Sequence, residues 1–143
     1  MKKIIISLTT LCLVLLSCTT EKKATYQTIK LEGSWELNYI SGSKIDFDKL
    51  DPNKKPIITF DSKDSIFSGN AGCNNYNGKL SVWENKISFK KPIAVTRMMC
   101  SDVSSENIYL STLEKIDSFS ISKDGKTLNL ISGEIKRMRL VKK

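Results

Sequence analysis

Short runs of alternating apolar and polar residues, separated by turn residues, recur from Leu31 to the C-terminus. A period of two is typical of a strand with one buried face, and short turns between successive runs favour antiparallel pairing. The clearest hairpin signal is Asp124-Gly125, which joins the runs 118–122 and 127–131. We therefore predict a mainly β fold with one helix, an antiparallel barrel-like or sandwich sheet of about eight short strands.

The first run, 34–40, places Trp35, Leu37 and Tyr39 on one face. The stretch 70–78 is rich in Asn and Gly and is predicted to be a tight connection. The stretch 44–55 fits either a loop or a short strand. The other predicted strands are 57–61 and 65–69, paired as a hairpin, 79–83 and 86–90, paired as a second hairpin, and 134–141.

A single α-helix is predicted near residues 102–116. Asp102 or Ser104 can accept hydrogen bonds from the free amides of its first turn, and Glu106 suits the positive end of the helix dipole. One face of this helix is apolar and is expected to pack on the sheet, and it carries Tyr109, Leu113 and Ile116.

The N-terminus has the pattern of an export signal. Lys2 and Lys3 precede the mainly apolar stretch 4–16, which is shorter than the about 20 residues that a membrane-spanning helix needs. The sequence Leu15-Leu16-Ser17-Cys18 then matches the arrangement that a lipoprotein-processing enzyme requires. We predict a signal peptide at 1–17 and lipidation of Cys18 through its thiol. An ordinary secretory signal, in which Cys18 is incidental, is the alternative.

This assignment divides the chain into a signal peptide, a lipidated N-terminus with a tether at 18–30, and one domain at 31–143. Removing residues 1–17 leaves 126 of 143 residues, which suits a single domain. Lipoprotein chemistry attaches several acyl chains, enough to hold a protein firmly to a membrane. We therefore expect a monomer in the bacterial cell envelope, anchored to the outer membrane through its N-terminal lipid.

Cysteine usage fits an exported domain. Cys12 leaves with the signal peptide and Cys18 carries lipid, so Cys73 and Cys100 remain. An even pair in an oxidising compartment predicts a disulfide. Two buried free thiols are the alternative, and a redox-active pair is disfavoured because the chain has no CxxC motif.

The charge excludes one class of partner. The formal net charge is +8, and loss of Lys2 and Lys3 leaves +6. Such a chain can rest against anionic lipid headgroups. The basic residues are scattered without interleaved aromatic residues, so we expect no nucleic-acid partner.

Catalytic chemistry is not expected. The sequence contains no histidine, which removes the commonest general base and the commonest metal ligand. The carboxylates of Asp61, Asp64, Asp102 and Glu106 fall at turns and at the predicted helix start, where they have local structural uses. No phosphate loop, nucleophile elbow or metal motif is present. We therefore predict no enzyme activity, no catalytic residues, no metal site and no cofactor.

Several motifs together resemble the META/HslJ-like domain family, whose members are often bacterial lipoproteins. The resemblance spans roughly residues 31–141. It rests on Leu31-x-Gly33-x-Trp35-x-Leu37, Gly69 through Gly78 with Gly72-Cys73-Asn74 at its centre, Thr96-Arg97-Met98-Met99-Cys100, Glu106 and Leu110 in the helix, and Leu128-x-Leu130.

The resemblance implies an antiparallel barrel-like sheet with one helix and places Cys73 near Cys100. The resemblance supplies no agreed catalytic residues. It implies only a loose link to heat shock, drug tolerance and envelope or secretion processes, with which members of the family are associated. The fold has been compared with lipid-binding pilot lipoproteins of secretion systems.

A few residues near these motifs are candidates for ligand binding. Asn74 and Asn75 lie in the stretch 70–78, which is either a tight connection fixed by Cys73 or an exposed ligand-contacting loop, and the structural role is favoured. Arg97 is expected to pair with Glu106, with contact to a ligand's anion as the alternative. Met98 and Met99 are expected to fill the core, with a role in a cofactor site as the disfavoured alternative.

We therefore expect a non-catalytic binding or assembly domain on a lipid anchor, with an envelope protein as partner and a link to envelope stress. The alternative is a carrier of an apolar ligand in a barrel cavity, and an enzyme of unknown type is third. A core packed by Trp35, Leu37 and Leu113 argues against the carrier, whereas an apolar cavity of about 300 Å³ or more favours it.

Overall fold

The computed structural model describes residues 30–42, 55–99 and 104–143. They form a closed antiparallel barrel in which each strand pairs with the next and the last pairs with the first. The prediction of a mainly β fold with one helix is confirmed. Of the two predicted sheet arrangements, the structure has the barrel and not the sandwich. The elements are β1 (Gly33–Ile40), β2 (Ile57–Asp61), β3 (Ile66–Asn70), β4 (Asn75–Trp83), β5 (Lys86–Val95), α1 (Ser104–Leu113), β6 (Ser118–Ile121), β7 (Thr127–Ser132) and β8 (Ile135–Lys142).

The connection between β3 and β4 is shorter than the sequence suggests. The predicted loop 70–78 narrows to residues 71–74, because Asn75 pairs with Asn70 and Gly78 pairs with Phe67 in the β3–β4 ladder. Asparagine and glycine are depleted in strands on average. Here the pairing partners determine the conformation.

A β-bulge in β1 changes which residues face the core. The register with β8 shifts between Leu37 and Tyr39, so Ile40, and not Tyr39, is buried on the same side as Trp35 and Leu37. Tyr39 is 45% exposed, and its ring lies 5.7 Å from the guanidinium carbon of Arg139. The prediction that Tyr39 shares a face with Trp35 and Leu37 is therefore wrong, because a bulge reverses the inward and outward faces beyond it.

Large side chains fill the barrel interior. Trp35 is completely buried, and its indole Nε1 donates to the carbonyl oxygen of Leu31 at 2.8 Å. Phe67 and Phe89 meet edge to face with ring centroids 4.9 Å apart, a preferred aromatic geometry. The interior also contains Leu37, Ile58, Phe60, Phe119, Leu128, Leu130, Met138 and Leu140.

Of the strand pairs in the barrel, β5 and β6 share the fewest paired residues. Their single ladder pair is Lys86 opposite Ser118. The Ile87 amide donates to the Asp117 carbonyl at 3.1 Å, and the Phe119 amide donates to the Asn85 carbonyl at 2.8 Å. Helix α1 belongs to the connection that spans this junction.

An up-and-down barrel has two ends, which we name by their chain segments. At the entry end, β1 begins and β8 ends, beside the turns 62–65, 84–85 and 122–126. At the loop end lie the connection 71–74, the segment 96–99, α1 and the turn 133–134.

Candidate functional site

Asn74 is the centre of a polar cluster at the loop end. Its backbone amide and its side-chain Nδ2 donate to the two carboxylate oxygens of Glu106, at 2.8 and 2.9 Å. Its Oδ1 accepts from the Thr96 hydroxyl at 2.9 Å and from the Met98 amide at 2.7 Å. One buried side chain therefore joins the β3–β4 connection, the segment after β5 and helix α1, which supports the structural role favoured for Asn74.

Asn75 has a different environment from its neighbour. Its side chain is exposed, and its Oδ1 accepts from the Asn70 Nδ2 at 3.0 Å. Its amide donates to the Thr96 hydroxyl at 3.1 Å. The backbone of Asn75 thus belongs to the β4 ladder, and its side chain contributes a surface hydrogen bond.

The predicted ion pair between Arg97 and Glu106 is wrong. The Glu106 carboxylate is buried and accepts from Asn74, while Arg97 is exposed to solvent. Two neutral amide donors and the first turn of α1 offset the burial of this charge. Arg97 remains a candidate for contact with an external anion.

The expectation that Met98 and Met99 fill the core is also wrong. Met98 is 57% exposed and Met99 is fully exposed at 104%. The bond from the Met98 amide to Asn74 fixes the backbone at this point, so both side chains stand on a positioned segment. Val95 and Ile108, at the same end of the barrel, are further exposed apolar residues.

Beneath this cluster, two tyrosines join α1 to the barrel. The hydroxyls of Tyr76 and Tyr109 are 2.6 Å apart and buried, and the Tyr76 hydroxyl donates to the Ile57 carbonyl at 3.0 Å. Burial raises the pKa of both phenols, and for Tyr76 the neighbouring Tyr109 raises the pKa further. Gly69 makes this arrangement possible, since a Cβ there would lie 2.6 Å from the Tyr76 hydroxyl.

A second surface feature lies on the outer face of the β4–β5 hairpin. It is an open groove of about 280 Å³ between this hairpin and the residues that precede β6. Its lining residues are Ser81, Trp83, Lys86, Ile87, Ser88, Ile116 and Asp117. This groove was not predicted, although a tryptophan directly before the predicted turn 84–85 is a sequence signal that could have suggested it.

The remaining predicted sites fall largely outside the described residues. Cys18 and Cys100 lie beyond them, so lipidation and the disulfide stay predictions, while Cys73 is half-buried in the connection 71–74. Within the described part of the chain, no group of three or more acidic, cysteine or histidine side chains is placed to hold a metal ion. No helix in the ranges described has the length and apolar character needed to cross a membrane.

The fold and the Asn74 cluster define a small closed β-barrel domain with one helix bound to its loop end. The META domain family matches residues 27–143, so the chain belongs to that family, as its motifs predicted. A comparison with curated proteins found no match.

Solved structures share this fold. An NMR structure of a protein from Burkholderia xenovorans has a TM-score of 0.64 at 21% identity, covering 82% of this chain and 87% of that one. A crystal structure of a DUF4847 family protein from Bacteroides vulgatus has a TM-score of 0.55 at 17% identity, covering 82% of this chain and 97% of that one. At these identities the likeness concerns the fold.

Proposed function

We propose that this protein is a lipid-anchored component of the bacterial cell envelope whose META domain binds or assembles with an envelope protein and catalyses no reaction. The anchor is supported by the signal-peptide pattern and by Cys18 directly after Leu15-Leu16-Ser17. The link to envelope stress is supported by the family resemblance alone.

The observation that carries the binding role is the exposure of Met98 and Met99 on a segment held by Asn74. Exposed apolar side chains grouped on a surface mark interaction sites, and methionine adapts its shape to a partner. Arg97 between the strand and these residues adds a charge that can pair with an acidic group of the partner.

The orientation of the barrel is consistent with this role. The tether joins the domain at the entry end, whereas the Met98-Met99 segment lies at the loop end. A domain held at its entry end directs its loop end away from the anchoring membrane. Partners in the envelope space can then reach the methionines.

The filled interior favours binding at the surface over transport of a ligand in the barrel. Trp35, Leu37 and Leu113 are all buried, the arrangement that argues against an apolar carrier. The groove of about 280 Å³ lies on the outer wall, beside β4 and β5.

Photo-crosslinking in intact cells tests the partner role. A photoreactive amino acid at position 99 should yield a discrete adduct with an envelope protein, identifiable by mass spectrometry. The same residue at Ser120, exposed on the outer face of β6, is the matched control and should give none. Identical adduct patterns from both positions, or none from either, would contradict the proposed binding surface.

The anchor is tested separately with Cys18→Ser. We expect mass spectrometry of the wild-type chain to find residues 1–17 removed and acyl chains on Cys18, with the protein in the membrane fraction. The variant should lose both features. A wild-type chain that keeps its first seventeen residues would refute the anchor.

A further inference from the structure

The groove on the β4–β5 hairpin combines groups of opposite charge with an aromatic wall. Cross-strand pairs Ser81–Ser88 and Trp83–Lys86 line one side. Ile116 and Asp117 line the other side, where the chain enters β6. The groove is therefore a composite of two chain segments that meet at the β5–β6 junction.

The carboxylate of Asp117 is fixed in the groove wall. It accepts from the Gly133 amide at 2.7 Å and from the Ser118 hydroxyl at 2.7 Å. The pKa of Asp117 is lowered mainly by the hydrogen bond from Gly133 and then by the hydrogen bond from Ser118. Desolvation opposes this shift, and the charge of Lys86 adds the smallest lowering effect. Asp117 is thus a permanent negative charge at neutral pH.

Lys86 provides the opposite charge without being neutralised by the protein. In the part of the chain that the structure describes, it forms no ion pair, although its charge acts on Asp117. Lys86 and Asp117 therefore line one groove with opposite charges and form no ion pair with each other. A ligand that carries both charges can bind between them.

Trp83 adds an aromatic surface at the mouth of this groove. It is 64% exposed, although tryptophan is normally well buried. Tryptophan is favoured at membrane–water interfaces, where one part of the ring contacts apolar chains and the indole N–H contacts polar groups. An aromatic face also attracts an ammonium group.

The side of the groove formed by Trp83 and Lys86 lies at the entry end of the barrel, where the tether joins the domain. Trp83 ends β4 and Lys86 begins β5, around a turn at the entry end. The twelve residues 19–30 after Cys18 reach at most roughly 40 Å when extended. This length allows the entry end to rest on the membrane that holds the lipid.

We propose that this groove binds the zwitterionic headgroup of an aminophospholipid in the anchoring membrane, an inference that rests on the proposed lipid anchor. Lys86 and the hydroxyls of Ser81 and Ser88 donate to the phosphate. Asp117 accepts from the ammonium group, which also lies against the Trp83 ring. An anionic headgroup without an ammonium group brings no cation to Asp117 and places its own negative charge near this carboxylate, so it binds less well.

Tryptophan fluorescence of the full lipidated protein tests this proposal, because the chain has two tryptophans in distinct environments. Trp35 is completely buried and gives a constant background, so Trp83 is the reporter. In vesicles of phosphatidylethanolamine with phosphatidylglycerol, we expect a blue shift and protection from aqueous acrylamide. Vesicles of phosphatidylglycerol alone should give a smaller change, and Trp83→Phe should remove the response.

Lys86→Ala probes the charge requirement. It should raise the mole fraction of phosphatidylethanolamine needed for the half-maximal shift by roughly tenfold, as expected for the loss of one charge-assisted hydrogen bond. Lys63→Ala, in another turn at the entry end, removes the same charge away from the groove and should leave the titration unchanged.

The outcomes separate this inference from the proposed anchor. A chain that stays with the vesicles while Trp83 remains open to acrylamide in every composition overturns headgroup binding and leaves the anchor intact. An equal response in phosphatidylglycerol alone overturns recognition of a zwitterion. A chain that does not stay with the vesicles overturns both proposals.

Discussion

Asn74 and Glu106, 32 positions apart in the sequence, form a buried pair in which one residue donates to both oxygens of the other. Glu106 is 7% exposed, and both of these donors are neutral N–H groups. The pair joins helix α1 to the β3–β4 connection. Since the same asparagine also accepts from Thr96 and Met98, three segments depend on one side chain.

Asn74→Ala should therefore destabilise the domain by about 3 kcal/mol. The substitution removes the side-chain donor to Glu106 and leaves a buried carboxylate with one donor in place of two. Urea unfolding followed by circular dichroism measures the change in the free energy of unfolding. Asn77→Ala, on the exposed side of β4, is the matched control and should change it by less than about 0.5 kcal/mol. Equal effects would show that the Asn74 contacts carry little stability.

The Tyr76–Tyr109 pair predicts sensitivity to alkali. Both pKa values are raised in the folded state, so the folded protein prefers the protonated phenols. This stability is complete below the unfolded pKa near 10 and is lost as the pH rises toward the folded values, by up to about 1.4 kcal/mol per pH unit for each tyrosine. Melting temperatures between pH 8 and 12 measure the loss.

Phenylalanine variants separate the two tyrosines. Tyr109→Phe keeps the bond from Tyr76 to the Ile57 carbonyl and should cost about 1 kcal/mol at neutral pH. Tyr76→Phe removes both bonds and should cost more. The double variant should show a flatter decline above pH 10, and a slope identical to the wild type would contradict the role of this pair.

The strands could be predicted because alternation and turn residues are local signals. The 57–61 and 65–69 hairpin and the Asp124-Gly125 turn match the structure to within a residue or two. The fate of Tyr39 could not be predicted in the same way. Its exposure depends on a bulge in the pairing with β8, a strand about 100 residues further along the chain.

The candidate site was less accessible to sequence reasoning, because its contacts join distant segments. Arg97 is the partner that the sequence predicts for Glu106. In the structure, the two carboxylate oxygens of Glu106 accept instead from the backbone amide and the side-chain amide of Asn74. Met98 and Met99 have the composition of core residues. In the structure both are exposed, on a segment that the Met98 amide joins to Asn74. Hydrophobic periodicity does not predict a contact between segments so far apart in the sequence.

Gly69 is predicted to tolerate no side chain. A Cβ at this position would lie 2.0 Å from the Ile57 carbonyl oxygen and 2.6 Å from the Tyr76 hydroxyl, two atoms fixed by their mutual hydrogen bond. Gly69→Ala should cost about 3 kcal/mol, measured by urea unfolding. Gly42→Ala meets no atom within 4 Å and is strained only by its φ of +76°, so it should cost about 1 kcal/mol. A smaller loss at Gly69 than at Gly42 would contradict the steric argument.

The Cys73–Cys100 disulfide predicted from the sequence is the last stability test. Closing a loop between residues 27 positions apart removes denatured-state entropy worth roughly 3.5 kcal/mol. Cys73→Ser with Cys100→Ser should therefore lower the free energy of unfolding by about that amount, and reduction of the wild type should reproduce the effect. Alkylation of the unreduced, unfolded protein followed by mass spectrometry counts the free thiols. Labelling of both cysteines before reduction would exclude the bond, and the stability of the connection 71–74 would then rest on Asn74 and its partners.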